Sequence, residues 1–417
     1  MSADGEQRAP LARRLGTFDA AVIGVGSMVG AGVFSAIGPA AAAAGSWLLL
    51  GLGLAAVVAY CNAVASAQLA AQYPVSGGSY VYGRERLGPW WGFAAGWCFV
   101  TGKTASCAAM ALTFGAYVAP SSGLAQRLLG ILAVTVLTAA TLRGIERTAQ
   151  LTRALVALSV GVLVLTIGLL LGSGETDAGR LTVGEPDVYG VLQAAGLLFF
   201  AFAGYARIAT LAEEVRDPER TIPRAILTAL AVVLVLYLAV AVSALLVAGA
   251  DTLAVSSAPL RTAVDLAGAA WAKPVVTVGA AVASLGALLA LLAGVSRTAL
   301  AMGRDSDLPG RLAAVQPERG VPHVAQLAIA AVVVLLVATI DLRGMIGFSS
   351  FGVLLYYAVA NASAWTQRGQ ERRWPRALQA LGLAGCLTLV VTLPPASVVA
   401  GASVLAAGCL GRLLLRD

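Results

Sequence analysis

The sequence predicts an all-α polytopic membrane protein with twelve transmembrane helices. Three observations carry this expectation. Of 417 residues, 59% are hydrophobic and only 12% charged, and the mean hydropathy of +0.84 lies far above that of an ordinary soluble domain. Apolar runs of about 18 or more residues recur from end to end, so the hydrophobicity belongs to many spans and not to one anchor or a cleavable leader. The basic residues, finally, sit in the connections between those runs, with a strong bias to one side of the membrane.

The spans fall near residues 18–43, 46–71, 90–118, 124–142, 149–172, 188–212, 224–249, 273–303, 322–340, 344–365, 375–393 and 396–414. Placing the N-terminus in the cytoplasm puts twenty-one Lys and Arg on that side and five outside (Arg127, Arg180, Arg261, Lys273 and Arg343). This asymmetry predicts a multi-pass protein of the cytoplasmic membrane with both termini inside. The formal charge of +7 is thereby accounted for by the bilayer, and nucleic acid is excluded as a partner. Between spans 2 and 3, VYGRERLGP reads as a short amphipathic helix on the cytoplasmic face. Asp217 or Thr221 would cap span 7, with Pro223 in its first turn. Segments 173–187 and 250–272 are the longer extracellular connections. The five cysteines lie in apolar segments without metal-ligand spacing, so they read as small core residues. No GxxxxGK[ST] loop occurs, which leaves an ATP-driven pump without support, and no cofactor or metal is expected.

One element is anomalous. GVGSMVGAGVF, from Gly24 to Phe34, places four glycines in the first span, each costing a helix about 1 kcal/mol relative to alanine. Either Gly26 and Gly30 form a GxxxG packing surface, or the helix unwinds and its freed N–H and C=O groups line a polar cavity. Unwinding predicts a partner break in the matching helix of a second half. Span 6 offers one at FFAFAGYAR, Phe199 to Arg207. Spans 1 and 6 correspond if spans 1–5 and 6–10 are repeats, and an odd number of spans per repeat inverts the second copy.

At these residues the chain resembles the amino acid/polyamine/organocation superfamily of secondary transporters. GSMVGAGVF resembles its span-1 signature, and YPVSGGSYVYGRERLGPWWGFAAGW resembles the passage joining spans 2 and 3. FFAFAGYARIATLAEEVRDPERTIPRAI resembles its span-6-to-7 signature, and GVSRTALAMGRDSDLPGRLAAVQPERGVPHVA resembles the end of span 8 and its loop. The resemblance implies a five-plus-five inverted repeat with discontinuous helices 1 and 6, followed by two more helices. Residues 1–17 would be a cytoplasmic tail, 18–172 the first repeat, 173–187 an extracellular loop, 188–365 the second repeat, and 366–417 the last two helices and the C-terminus. It also implies transport of an amino acid or related amine. The carboxylate would be received by the backbone at Ala31 and Gly32, just after Gly30, and the amino group by carbonyls near Met28 and at Phe200 and Ala203. Phe200 maps to an aromatic lid, with Phe202 and Tyr205 beside it. Physically, N–H groups opening a half-helix suit an anion, and carbonyls closing one suit an ammonium. Where proton-coupled relatives often carry a span-5 lysine, this chain has Ser159.

Two basic residues belong to no loop. Lys103 lies about 13 residues into span 3, roughly 20 Å along the helix, in the small and partly polar stretch TGKTASC. An ionisable residue at that depth is a functional candidate. It would carry a proton or meet a substrate carboxylate, against a structural reading in which it bonds carbonyls or hydroxyls such as Thr104 and Ser106. Arg207 follows the span-6 break and shares a helix face with Glu214, so both are coupling or gate candidates. The expectation is a secondary active transporter, not an enzyme, most simply a proton symporter that needs no protein partner. A substrate-for-substrate exchanger is the alternative, and a channel or intramembrane enzyme the remote one.

Overall fold

The computed structural model describes residues 15–73, 77–144, 149–181, 184, 185, 187–205, 208, 215–316 and 319–416. Among them, regular structure is helical apart from two isolated β-bridges. Span 1 is interrupted. Helix α1 (Thr17–Met28) stops, Val29 and Gly30 leave helical geometry, and the chain resumes as α2 (Ala31–Ser35) and α3 (Ile37–Ala44), joined smoothly through Ala36. Span 2 is α4 (Leu48–Gln72), followed by the expected short helix α5 (Ser79–Leu87). Spans 3, 4 and 5 are α6 (Pro89–Val118), α7 (Gly123–Leu142) and α8 (Ala149–Leu171). Span 6 begins as α9 (Val188–Phe202) and tightens into a 3-10 turn at Ala203–Tyr205.

Span 7 is α10 (Pro218–Val255), longer than the sequence suggested. It opens at Pro218, which needs no N–H there, so Pro223 lies inside the helix and the preceding Asp217 makes no side-chain cap bond. Its C-terminal end kinks at Gly249, whose φ of 72° is in the left-handed region that glycine enters without penalty. A helix not anticipated, α11 (Pro259–Leu266), occupies the following connection. Spans 8 to 12 are α12 (Lys273–Arg304), α13 (His323–Thr339), α14 (Leu342–Trp365), α15 (Arg376–Thr392) and α16 (Pro395–Arg416).

Nine helical stretches among the described residues are long and apolar enough to cross a bilayer, and spans 9 and 11 are apolar but shorter. Span 3 is not among the nine, because glycine, threonine and Lys103 dilute its hydropathy.

The packing carries the repeat. Span 1 packs on span 7 and span 6 on span 2; span 3 packs on span 10 and span 8 on span 5. Span 1 packs on span 5 and span 6 on span 10, while spans 2 and 7, 3 and 8, and 4 and 9 pair with each other. Exchanging each span of the first five for its counterpart five further on returns the same set of pairs. That is what two superposed five-helix repeats require.

The start of span 1 and the end of span 12 lie on one face. Leu15 bridges Val215, Arg373 pairs with Glu219 at 3.2 Å, and Glu371 takes bonds from Gln72 and Arg86. A cluster on this face joins three parts of the chain. Asp307 pairs with Arg84 at 3.0 Å and with Arg412 at 2.8 Å, the latter pair having no side-chain exposure. Tyr80 donates to Asp305 at 2.6 Å or Asp307 at 2.9 Å. Burial and these two carboxylates push its phenol well above the ordinary range.

Candidate substrate site at the two helix breaks

The interruptions of spans 1 and 6 meet each other. A Cβ on Gly204 would run into the Ser27 carbonyl, and one on Gly32 would come within 2.6 Å of the Ala201 Cα. Two other glycines of the first span are packing surfaces too, Gly26 against Val156 of span 5 and Gly30 against Ala287 of span 8. The unwound and close-packed readings are therefore both right, for different atoms of one stretch. Glycines bring neighbouring helices within reach of a break that falls at Val29 and Gly30.

The break offers both kinds of backbone group. Ala31, Gly32 and Val33 form the first turn of the resumed helix, where N–H groups have no carbonyl one turn back, and the N-cap residue, Gly30, has no side chain to cap them. The three carbonyls named from the resemblance each receive a donor of the protein. Met28 O accepts from Gly30 N–H at 2.7 Å and from the Tyr237 hydroxyl at 2.6 Å. Phe200 O accepts from the Ala203 N–H. Ala203 O accepts from Lys103 Nζ at 3.2 Å and from the Tyr357 hydroxyl at 3.4 Å.

Lys103 is thus brought across from span 3 to the span-6 break, with only 6% of its surface exposed. Its close approach has a cause in the backbone, since Gly102 and Gly352 face each other and let spans 3 and 10 come together. The hydroxyls beside it are committed elsewhere. Thr104 donates to Val100 O, and Ser106 shares a 2.6 Å bond with Ser349. Of the acceptors weighed from the sequence, it is a carbonyl and not a hydroxyl that holds the ammonium. Ser159 is buried and donates back to Leu155 O on its own helix.

The span-6 aromatics separate by role. Phe199 meets Tyr357 edge-on at 5.9 Å, Phe202 packs on Tyr237 at 5.2 Å, and Tyr205 stacks on Tyr357 at 5.0 Å. Phe200 is also buried, at 7% exposure. Phe202 and Tyr205 are consequently held in aromatic packing on spans 7 and 10. Arg207 and Glu214 lie outside the described residues.

Sequence reasoning missed Tyr237, Tyr357 and Tyr117. The signal was present, since a buried tyrosine in an aliphatic span must find a partner for its hydroxyl. Tyr237 joins spans 1 and 6 by donating to Met28 O or Ala201 O, at 2.6 and 3.1 Å. Tyr117 donates to Phe34 O in α2 and accepts from the Leu260 N–H of α11. It thereby pins the unanticipated helix over the second half of span 1.

An interrupted span 1 that meets the 3-10 end of span 6 within an apolar helical bundle is the arrangement on which secondary transporters build a solute site. The sequence profile described as Amino acid permease matches residues 15–410. An uncharacterized transporter of Mycobacterium tuberculosis is 59% identical over 399 residues, covering 95% of this chain and 90% of the relative. The branched-chain amino acid permease BcaP of Bacillus subtilis is 28% identical, covering 89% and 84%. Among solved structures, MhsT in complex with L-phenylalanine shares the fold, with a TM-score of 0.65, 14% identity, and coverage of 92% of this chain and 99% of that one. The chain belongs to the amino acid permease family and is a multi-pass membrane transporter.

Proposed function

We propose that the protein carries an amino acid across the cytoplasmic membrane by alternating access, as a proton symporter with both termini in the cytoplasm. The substrate carboxylate lies on the N–H groups of Ala31 and Gly32 after Gly30. Its ammonium is met by the carbonyls of Met28, Phe200 and Ala203, with Phe200 as the lid. The observation that carries the coupling is the bond from Lys103 Nζ to Ala203 O. Lys103 places an ammonium where the substrate's own ammonium would lie, so the two compete for one carbonyl. Arrival of substrate drives Lys103 off Ala203 O and onto the substrate carboxylate, which becomes its new acceptor. A buried ammonium keeps its proton where an anion faces it, so substrate and proton are bound together and leave together, as symport requires.

A neutral amino acid is the first substrate to test. BcaP is named for branched-chain amino acids and MhsT holds L-phenylalanine. The experiment is uptake into proteoliposomes across an amino acid panel, with an imposed pH gradient and with sodium varied separately. Gradient-driven accumulation is expected, falling by about tenfold or more in Lys103→Ala while counterflow exchange persists. Accumulation by Lys103→Ala equal to the parent, with the same pH dependence, would sink the coupling role. Flux seen only with substrate on both sides would replace symport by exchange.

A further inference from the structure

Spans 2, 10 and 11 enclose a seam of buried polar groups that the substrate site does not use. Asn62 and Asn361 are both fully buried. Asn361 Nδ2 donates to Asn62 Oδ1 at 2.6 Å and to Tyr357 O at 2.9 Å, and the Cys386 thiol donates to Asn62 Oδ1 at 3.3 Å. Asn62 Nδ2 and Asn361 Oδ1 are then left without a partner among the described residues. Turning either amide over does not help, because it sets oxygen against oxygen or nitrogen against nitrogen. Gln379, 1% exposed, has neither its Nε2 nor its Oε1 bonded among the described residues.

These groups face one another. The buried positions of span 11 include 379, 382, 386 and 389, one helix stripe, so Gln379 points the same way as Cys386, which bonds Asn62. Between them a Cβ on Gly382 would collide with Asn361 Oδ1, so only a glycine there lets span 11 close on this amide. The seam begins at the candidate site: one turn from Asn361, Tyr357 donates to the Ala203 carbonyl that also holds Lys103. It ends where Arg376, in the first turn of span 11, lies over Trp365 at 5.7 Å. Cys386 and Gln379 are about 10 Å apart along the helix, the length of a few water molecules. Native proteins leave few buried polar groups unsatisfied, and internal water is the usual partner where protein supplies none.

We propose that this seam binds a file of water molecules, through which Lys103 exchanges its proton with the face bearing the termini, apart from the substrate's path. The proton leaves Nζ for water and passes between waters; the Asn and Gln amides orient those waters and carry no proton themselves. The titratable groups along the way are Cys107 on span 3, Tyr205 on span 6, Tyr356 and Tyr357 on span 10, Cys61 on span 2, and Cys386 and Arg376 on span 11. The route rests on the proton-coupling reading above, whereas the water site does not.

Hydroxyl-radical footprinting of the purified full chain tests the site. Radiolysis of bound water should oxidise Cys386 faster than Cys98, which is also buried but away from the seam, and Gln379→Leu should reduce the difference. Equal rates at the two cysteines overturn the water file. The route is read by transport: Gln379→Leu should lose about fivefold or more of gradient-driven uptake, as removal of a bridged water contact would, with counterflow intact. A Gln379→Leu protein that melts higher and transports like the parent overturns the route, since that is how a merely tolerated buried amide behaves. A parent protein indifferent to the pH gradient overturns the coupling reading and the route together, and footprinting then judges the water site alone.

Discussion

Tyr237 does with one hydroxyl what neither broken span can do alone. It donates toward Met28 O and Ala201 O, and so holds the two interruptions at a common distance. Tyr237→Phe keeps the ring that packs on Phe202 and removes only this donor. The expected cost is about 1–2 kcal/mol, read as a lower thermal midpoint in detergent, with slower uptake as the breaks drift apart. An unchanged midpoint and unchanged uptake would show that Met28 O is served well enough by the Gly30 N–H. At this scale the sequence was partly legible. Lys103 stood out because charge inside a membrane is rare, whereas a tyrosine among valines and leucines differs from any buried aromatic only once its partner is known. The acceptor of Lys103 was beyond sequence reasoning for the same reason, since Ala203 offers a backbone oxygen and a backbone oxygen leaves no residue-specific mark.

At the scale of elements, the same residue type has opposite meanings in neighbouring helices. Gly32 is pressed on the Ala201 backbone, while Gly161 in span 5 has open space where a Cβ would go. Gly32→Ala should therefore cost about 1–3 kcal/mol, as overpacking does, and suppress uptake by prising span 1 from span 6. Gly161→Ala should instead gain up to about 1 kcal/mol from helix propensity and leave transport intact. Thermal midpoints of the two variants check both signs, and a Gly32→Ala protein as stable as the parent would contradict the close contact. The pattern of spans, the break in span 1 and the short helix after span 2 were legible because composition and glycine density mark them. The helix α11 was not, because eight residues in a polar connection show no apolar run, and its place depends on Tyr117 from a distant span.

For the molecule as a whole, the exchangeable pairing of spans follows from two repeats, but the last two helices stand outside it and must be fastened separately. Span 12 is fastened by Arg412, which reaches Asp307 and Pro89 O and lies over Trp90 and Phe93 at 4.5 and 4.7 Å. Arg412→Met leaves Asp307 with less compensation in a buried place and should cost about 3–5 kcal/mol, visible as a large fall in the thermal midpoint. Lys273→Met at the half-exposed pair with Asp265 should change stability by about 1 kcal/mol or less. Equal effects would refute the distinction. Charge counting had already placed Arg412 and the connection after span 8 on one side, but nothing local links residues more than a hundred positions apart. That separation bears on how the chain is made. Asp307 emerges just after span 8 with Arg84 already made, and four further helices follow before its second cation, Arg412, is reached. Docking of span 12 is therefore an electrostatic event as much as an apolar one, since it brings a second cation to a cluster that earlier spans have already built.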